Sequence, residues 1–353
     1  MKTKPIKIKT PKGQRLIGLG QPVFVVMEMS GNHNGDINRA YKIIDEAAKA
    51  GADAVKLQTY TPDTMTIDSH KKWFMVEGEL WGGQSLYDLY KVAYTPWDWQ
   101  PKLKAYAEKK GLVCFSTPFD ETAVDFLEKM EVLLYKVASF EVVDIPLLKK
   151  IGQTKKPVII SRGMASMEEL KLAIKTLKQW GCPQVLVLHC ISSYPAKPED
   201  MNLATIPDLA KRLKAPVGLS DHTISNNVSV AAVALGAVAI EKHFTLKRSD
   251  GGPDATFSLE PQELAQLVGA IREVEAAIGK PRYATKQEKA MELYRRSLFA
   301  VEDIRKGEKF TDKNVRSIRP SAGLPPKYMD KVIGKTAASD IERSTPLVWK
   351  LIK

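Results

Sequence analysis

Residues 216–244 read PVGLSDHTISNNVSVAAVALGAVAIEKHF, which is a short apolar run, a stretch rich in small residues and a second short apolar run. Each apolar run ends in polar residues, and Gly236 stands where a helix between the runs would end. Such an arrangement is typical of a strand–helix–strand unit with parallel strands. The segment therefore predicts one β/α repeat of a larger α/β domain.

Six similar runs precede this segment, and helical stretches such as 37–51, 96–111 and 167–181 lie between them. Eight runs in all predict a closed (β/α)8 TIM barrel. A doubly wound open sheet is the alternative, but it usually has fewer strands, and no G-x-G-x-x-G motif follows the first run. The six runs are VFVVMEM (23–29), ADAVKLQTY (52–60), LVCFSTPF (112–119), LLYKVASF (133–140), PVIISRG (157–163) and QVLVLHCI (184–191).

The remaining sequence predicts a long loop and a small second domain. The segment 61–95, called here the lid segment, is too long for a plain β/α connection, and we expect it to cover the mouth of the barrel. We predict a barrel domain over 1–280, a charged linker over 281–296 and a domain of short strands over 297–353. A domain of that size is marginally stable alone, so we expect it to dock on a barrel of its own chain or of a partner.

Composition excludes several classes of protein. Three cysteines in 353 residues make a disulfide framework improbable, and with the lack of a secretory signal they indicate a cytoplasmic protein. No stretch approaches the roughly 20 apolar residues of a membrane span. The formal net charge of +12 suits nucleic acid, acidic lipid or an anionic small substrate. Because the basic residues are spread along the chain without a nucleic-acid-binding motif, we favour the small substrate and expect neither nucleic acid nor membrane as a partner.

Two histidines follow the last two predicted strands at their carboxyl ends. Side chains alternate along a strand, so His222 shares a face with Ser220, and His243 shares a face with Glu241. The two imidazoles could converge on a divalent metal and leave positions open for water and substrate. The alternative is that each histidine is only a hydrogen-bonded barrel residue. Acidic neighbours favour the metal, and these are Asp221, Glu241 and Asp254.

Two lysines, Lys56 and Lys136, end the second and fourth predicted strands and would be costly to bury unpaired. With the hydroxyls of Ser139 and Ser220 they could hold phosphate and carboxylate groups. The alternative is an internal ion pair of either lysine with a strand-end carboxylate, and both could coexist in the ligand-free state. The carboxylates concerned are Glu28 and Glu241.

Glu28 and Glu141 are candidates for general acids or bases because burial and the lysines can tune the pKa values of their carboxyl groups. Two further histidines have weaker claims to a function. His33, in the first loop, is a candidate for lining the site, whereas we expect His70, in the lid segment, to be solvated.

Eight motifs in this order resemble the sialic acid synthase family, and the match spans nearly the whole chain. The motifs are EMSGNHNGDINRA (28–40), AGADAVKLQTYTPDT (50–64), FSTPFD (115–120), YKVASFEVVDIPLL (135–148), SRGMAS (161–166), SSYPA (192–196), GLSDHT (218–223) and EKHFT (241–245). The resemblance implies a metal-dependent (β/α)8 barrel that condenses phosphoenolpyruvate with an N-acetylated amino sugar. It also implies a C-terminal antifreeze-like (SAF, β-clip) domain, which the tail resembles.

The resemblance implies a role for individual residues. His222 and His243 would bind the metal, usually Mn²⁺, with Mg²⁺ or Co²⁺ possible. Arg319 would reach into the barrel of a partner subunit and bind the N-acyl group of the sugar, which implies a domain-swapped homodimer. Together with the reading of the strand ends, this gives Glu28, Glu141 and Glu241 as the expected catalytic residues, and the expected substrate-binding residues are Lys56, Thr117, Lys136, Ser139, Ser192, Tyr194, Ser220, Asp254 and Arg319.

Within the family, the segments 85–99, 250–261 and 294–299 are most similar to those of pseudaminic acid synthases. Relatives that make N-acetylneuraminate usually have a histidine-containing sequence before SLEP, where this chain has Ala255, Thr256 and Phe257. They also have an asparagine that contacts substrate in place of Ser192. We expect Phe257 to suit a 6-deoxy sugar.

The implied substrates are phosphoenolpyruvate and a diacetamido-trideoxy sugar, with pseudaminate and phosphate as products. The alternatives are an N-acetylneuraminate or legionaminate synthase of the same mechanism and a non-enzymatic carbohydrate- or ice-binding protein.

Overall fold

Eight parallel strands form a closed barrel in this computed structural model, which describes residues 4–10, 13–78 and 80–353. Strands β3 to β10 pair in sequence order and β10 pairs with β3, which confirms the predicted (β/α)8 TIM barrel. The twelve strands of the described chain are β1 (Ile6–Thr10), β2 (Gly13–Ile17), β3 (Phe24–Glu28), β4 (Ala54–Thr59), β5 (Val113–Pro118), β6 (Tyr135–Val137), β7 (Val158–Ser161), β8 (Val185–Cys190), β9 (Val217–Asp221), β10 (Ala239–His243), β11 (Ser297–Ala300) and β12 (Val315–Ile318).

Helices follow the barrel strands, and several of them begin at side-chain caps. The carboxylates of Asp36, Asp120 and Asp144 accept hydrogen bonds from backbone N–H groups in the first helical turns. The helices of the barrel unit are α1 (Ile37–Lys49), α2 (Pro62–Met65), α3 (Leu86–Ala93), α4 (Gln100–Lys109), α5 (Glu121–Lys129), α6 (Ile145–Gln153), α7 (Met167–Gln179), α8 (Thr205–Leu213), α9 (Asn226–Ala234) and α10 (Pro261–Ile278).

The barrel interior is apolar at the amino ends of the strands and polar at their carboxyl ends. Strand β3 shows the gradient, because Phe24, Val26 and Glu28 occupy one face and are all buried. Side chains alternate between the interior and the helix layer, so the polar residue is the last one on the inner face. The same order in the other strands places the functional groups at one rim, as expected for a TIM barrel.

A hairpin of β1 and β2 closes the amino end of the barrel. Its Ile6, Ile8 and Ile17 are at most 3% exposed and pack with the innermost barrel residues. Gln184, just before β8, holds the hairpin by donating to the carbonyl of Pro5 and accepting from the N–H of Lys7. The residues of the hairpin precede the first predicted strand, and no element was predicted for them.

The C-terminal residues form a separate small fold. The chain divides into two compact units, Met1–Gly279 and Lys280–Lys353, so the stretch 281–296, which we predicted as a linker, groups with the second unit. Strands β11 and β12 pair antiparallel around a core that includes Leu298, Phe310 and Leu347. The helices of this unit are α11 (Lys286–Met291) and α12 (Met329–Val332).

No helix among the described residues combines the length and the apolar character that crossing a bilayer requires.

Candidate active site

The polar side chains at the carboxyl ends of the strands form one buried network. Lys56 pairs with Glu28, and its Nζ lies 3.9 Å from Glu241 Oε1. The same oxygen lies 3.0 Å from Lys136 Nζ and accepts a hydrogen bond of 3.0 Å from Ser220 Oγ. All five residues are at most 4% exposed. The structure therefore forms the internal ion pairs that we gave as the alternative to an anion site.

Burial and the two lysines determine the protonation of this network. Burial alone would raise the pKa of Glu241, but Lys136 and Lys56 more than offset it and lower the pKa to about 2. Burial raises the pKa of Glu28 against the attraction of Lys56, and the charge of Glu241 adds to the rise. Burial would lower the pKa of Lys56, yet Glu241 and Glu28 raise it. Lys56 thus stays cationic, and Glu28 is the carboxyl group that accepts a proton more readily.

Three predicted substrate-binding hydroxyls lie at or just after the carboxyl ends of the barrel strands. Lys56 Nζ donates to Thr117 Oγ1 over 3.4 Å, and the hydroxyls of Ser139 and Ser192 lie 2.9 Å apart. The backbone of Gly163 lies against this serine pair with a φ of +52°, and a Cβ there would come within 2.2 Å of Ser139 Cβ. Only glycine leaves this space beside the hydroxyls.

His222 and His243 lie side by side at the rim, with ring centroids 5.5 Å apart. His222 Nδ1 lies 2.8 Å from the carbonyl oxygen of Ile191, so Nδ1 donates and Nε2 carries the lone pair. Burial lowers the pKa of His222 to about 4 and that of His243 well below its usual value. Both imidazoles are therefore neutral at pH 7, which is the form that binds metals.

The two imidazoles fit a divalent ion as two of its ligands. Nitrogen ligands lie about 2 Å from such an ion, so two rings that share it have centroids roughly 5 Å apart. His243 Nδ1 is buried and has no hydrogen-bond partner among the described residues, and Asp254 Oδ2 lies 4.0 Å away. Within the described part of the chain, no three His, Cys, Asp or Glu residues form a metal-binding group. A metal held by these two imidazoles would need water or substrate for its other ligands, as in catalytic metal sites.

Asp254, Tyr194 and Phe257 surround the histidines. The hydroxyl of Ser30 donates to the carboxylate of Asp254, whose pKa burial raises. The ring of Tyr194 lies 4.4 Å from that of His222, and the ring of Phe257 lies 4.9 Å from that of His243. Phe257, which we expected to suit a 6-deoxy sugar, is 2% exposed and packs against His243. The turn 255–257 directs its side chain into the protein, and its role toward the sugar stays a prediction.

A cavity of about 380 Å³ opens beside this network, and the lid segment forms much of its wall. The lid is fixed by Trp81, whose Nε1 donates to the carbonyl of Pro253 over 2.7 Å. Its position agrees with the sequence-based expectation that 61–95 covers the mouth. The cavity-lining residues of the lid include Met65, Val76, Trp81, Leu86, Leu89 and Tyr90.

Glu141 lines the same cavity from the start of the turn after β6. Its Oε2 is buried and has no hydrogen-bond partner within the described chain. Burial raises the pKa of Glu141 to about 7. A carboxyl group with this pKa can give or take a proton near neutral pH.

Three other side chains considered from the sequence either have structural partners or are exposed, and these are Asp221, His33 and His70. Asp221 faces the helix layer, where its carboxylate pairs with Lys242 and Ser229, so it is not free to act as a ligand at the candidate metal site. Both ring nitrogens of His33 have partners, Thr95 Oγ1 and the N–H of Gly35, which excludes a free ligand nitrogen. His70 is exposed, as we predicted.

Ser30, Gln58, Tyr60 and Tyr90 also line the cavity but were absent from the predicted set. Gln58 Nε2 donates to Glu28 Oε1 over 3.1 Å and to Ser30 Oγ over 3.3 Å. Strand alternation could have identified Gln58, since it lies two residues after Lys56 on the same face. The tyrosines gave no comparable signal because loop geometry places them.

Arg319 lies in the second unit, where it is exposed. It lines a surface cleft of about 590 Å³ together with other cationic and apolar side chains, namely Met291, Tyr294, Arg295 and Arg296. The expectation that Arg319 serves the barrel of a second subunit stays a prediction.

Comparison with known proteins adds independent evidence about the family. The NeuB family matches residues 43–283, which is more than half of the chain. This chain belongs to the NeuB family. The SAF domain matches residues 295–353 of this NeuB-family chain. The predicted resemblance to sialic acid synthases with an antifreeze-like domain is thereby confirmed.

Individual relatives of this NeuB-family chain match it over nearly its whole length. A pseudaminic acid synthase of Campylobacter jejuni is 44% identical over 322 residues, 91% of this chain and 94% of the relative. A pseudaminic acid synthase of Helicobacter pylori is 40% identical over 329 residues, 93% and 97% of the two chains. The crystal structure of N-acetylneuraminic acid (sialic acid) synthetase from Leptospira borgpetersenii in complex with citrate is 33% identical, has a TM-score of 0.73, and covers 82% of this chain and 95% of its own.

Proposed function

We propose that this chain catalyses the pseudaminic acid synthase reaction. It condenses phosphoenolpyruvate with 2,4-diacetamido-2,4,6-trideoxy-altrose and water to give pseudaminate and phosphate. The observation that carries this proposal is the identity of 40–44% with pseudaminic acid synthases of two genera over more than nine-tenths of the chain. The buried Lys, Glu and His network at the barrel mouth supports catalysis over the non-enzymatic carbohydrate-binding alternative.

Phosphoenolpyruvate is the substrate that best matches the lysines. Lys56 and Lys136 each contact a carboxylate that balances their charge, and an incoming phosphate and carboxylate would compete for the same ammonium groups. Ser220, which donates to the same carboxylate oxygen that Lys136 contacts, would help to fix the orientation of the anion by a hydrogen bond, and we assign the same role to the hydroxyls of Ser139 and Ser192. Since the cations are already in place, they would stabilise the departing phosphate without reorganisation.

The bond changes follow from the substrates. C3 of phosphoenolpyruvate attacks C1 of the open-chain sugar aldehyde, the aldehyde oxygen receives the electrons of the C=O π bond and takes up a proton to become a hydroxyl group, and positive charge develops at C2. Water adds to C2, and the resulting intermediate expels inorganic phosphate by breaking the C–O bond. Glu28 is the base we assign to this water because its raised pKa favours proton uptake and Lys56 holds it in place.

A divalent ion, which we propose to be Mn²⁺, with Mg²⁺ or Co²⁺ as alternatives, would bind to His222 and His243. When bound, such an ion supplies Lewis-acid polarisation of the aldehyde. Asp254 and Tyr194 lie beside the two imidazoles and would orient the sugar.

We also propose a homodimer in which Arg319 of each chain serves the barrel of the other and binds the N-acyl group of the sugar. The exposed guanidinium of Arg319 in a cleft of the second unit is compatible with this role. The three free, buried cysteines agree with a reducing compartment, and we propose the cytoplasm.

The experiment that tests the function offers the chain phosphoenolpyruvate, Mn²⁺ and one sugar at a time, with phosphate release and product mass as readouts. The sugars are the altro-configured diacetamido sugar, its manno-configured counterpart and N-acetylmannosamine. We expect the first to give the highest kcat/KM. Preference for either of the others would assign the chain to legionaminate or N-acetylneuraminate synthesis, and no phosphate release with any of them would refute the enzymatic proposal.

A further inference from the structure

A buried ion pair lies on the outer face of the barrel directly behind the candidate metal site. Asp221 and Lys242 are paired across β9 and β10, with Lys242 Nζ 3.1 Å from Asp221 Oδ2. The side chains are 0% and 1% exposed, respectively. The proposed reaction uses neither of them. A buried ion pair is weak evidence for stability, so its presence calls for another physical reason.

Both members of the ion pair form hydrogen bonds with the backbone that follows β9. Besides Asp221, Lys242 Nζ donates to the carbonyl oxygens of Thr223 and Ser225, which uses all three ammonium hydrogens. Asp221 accepts from the N–H of Thr223 over 2.8 Å and from the hydroxyl of Ser229 in α9 over 2.6 Å. The contacts therefore fix the chain immediately after His222.

The register of the two strands connects this ion pair with the histidines. Ser220 is opposite Glu241 on the inner face, and Asp221 is opposite Lys242 on the outer face. The next position on each strand is a histidine, His222 or His243, on the inner face again. A slip of one residue would turn one imidazole away from the cavity and place a buried charge without its partner.

We propose that Asp221 and Lys242 are positioning residues that fix the register of β9 and β10, and thereby hold His222 and His243 at the spacing needed to share one divalent ion. This inference rests on the metal-binding role given to the two histidines in the proposed function. Residues on the outer face of the barrel would then contribute to the affinity for a metal that binds on the inner face.

The test uses the double variant Asp221→Asn/Lys242→Met in the full-length chain. The variant removes both charges together, so neither is left buried and unpaired. The Asn side chain can still accept from the N–H of Thr223. Lys156→Met is the matched control, since it removes an ion pair of 2.6 Å with Glu128 at the amino end of β7.

The first readout is the affinity of the metal-stripped chain for Mn²⁺, measured from the electron paramagnetic resonance signal of the free ion. The second is the visible spectrum of the Co²⁺-loaded chain. Circular dichroism and thermal unfolding report the fold. We expect the double variant to fold, to bind Mn²⁺ at least tenfold more weakly and to show an altered Co²⁺ spectrum, while Lys156→Met behaves like the wild type.

A double variant that folds and binds Mn²⁺ as tightly as the wild type would overturn the inference and leave the proposed function intact. If the wild type binds Mn²⁺ no more tightly than His222→Ala does, the metal role fails and the inference fails with it. Should the double variant not fold, Ser229→Ala decides, because it removes only one contact of Asp221. At least threefold weaker Mn²⁺ binding by this variant supports the inference, and unchanged binding contradicts it.

Discussion

Lys136 shows how much of the site depends on single buried contacts. Its Nζ lies 3.0 Å from Glu241 Oε1, and after burial it has the largest influence on the pKa of Glu241. We expect Lys136→Met to lower kcat/KM for phosphoenolpyruvate by at least about 100-fold, because a preorganised cation at the departing phosphate is lost. Steady-state kinetics with varied phosphoenolpyruvate measures this.

The control, Lys150→Met, loses only its surface ion pair with Asp125 and should retain wild-type values. A drop of less than threefold in Lys136→Met would contradict the assignment.

Glu141 makes stability depend on pH. Its pKa in the folded chain is about 7, above the ordinary value of 4.5, so the folded state binds the proton more tightly than the unfolded state does. This contribution to stability is complete below pH 4.5 and is lost as the pH rises through about 7. Glu141→Gln has no titrating group at this position, so this loss of stability is absent from the variant. The free energy of unfolding of the variant minus that of the wild type should therefore increase by about 1–3 kcal/mol between pH 5 and 7.5. Urea unfolding of both chains at several pH values tests this. A difference in their free energies of unfolding that stays constant from pH 5 to 7.5 would disprove it.

Strand alternation explains which site residues the sequence could reveal. Glu28, Lys56, Lys136 and Glu241 each lie on the inner face near the carboxyl end of a strand, and the structure brings all four into one network. The orientation of Phe257 was not predictable in this way, because it lies in a turn whose path depends on tertiary packing.

At the scale of whole elements, all eight barrel strands could be predicted because each is a short apolar run between helical stretches. The hairpin β1–β2 was missed although Ile6 and Ile8 alternate with lysines, since two short strands before the barrel have no place in the β/α repeat. The helices α2 and α3 within the lid segment have only four and eight residues, so neither would be stable in isolation.

Helix α3 of the lid gives a prediction about the sugar. Leu89 lines the cavity, whereas Val92 on the same helix is 66% exposed. We expect Leu89→Asn to raise KM for the diacetamido sugar about tenfold by removing apolar contact, with KM for phosphoenolpyruvate unchanged. Val92→Asn is the control and should leave both values unchanged. Equal changes of the two KM values in Leu89→Asn would show that the lid does not form the sugar side of the cavity.

At the scale of the whole molecule, the proposed domain swap predicts complementation between two inactive variants. Arg319→Ala and His222→Ala should each lose most activity when produced alone. In a swapped dimer that contains one chain of each variant, one barrel combines both defects and the other has neither. Co-production should therefore restore about a quarter of the wild-type activity per site if the chains pair at random. Phosphate release from the mixture measures this, and no recovery despite mixed dimers would refute the swap.

The central claim is that the network at the barrel mouth condenses phosphoenolpyruvate with a sugar and releases phosphate by C–O cleavage. The most direct test uses phosphoenolpyruvate with ¹⁸O in the bridging position, the accepted sugar and Mn²⁺, and determines by mass spectrometry where the label goes. Because C–O cleavage leaves the bridging oxygen on phosphorus, we expect the ¹⁸O in the released inorganic phosphate and none in the nonulosonic acid. Label retained in the sugar product, with unlabelled phosphate, would contradict it.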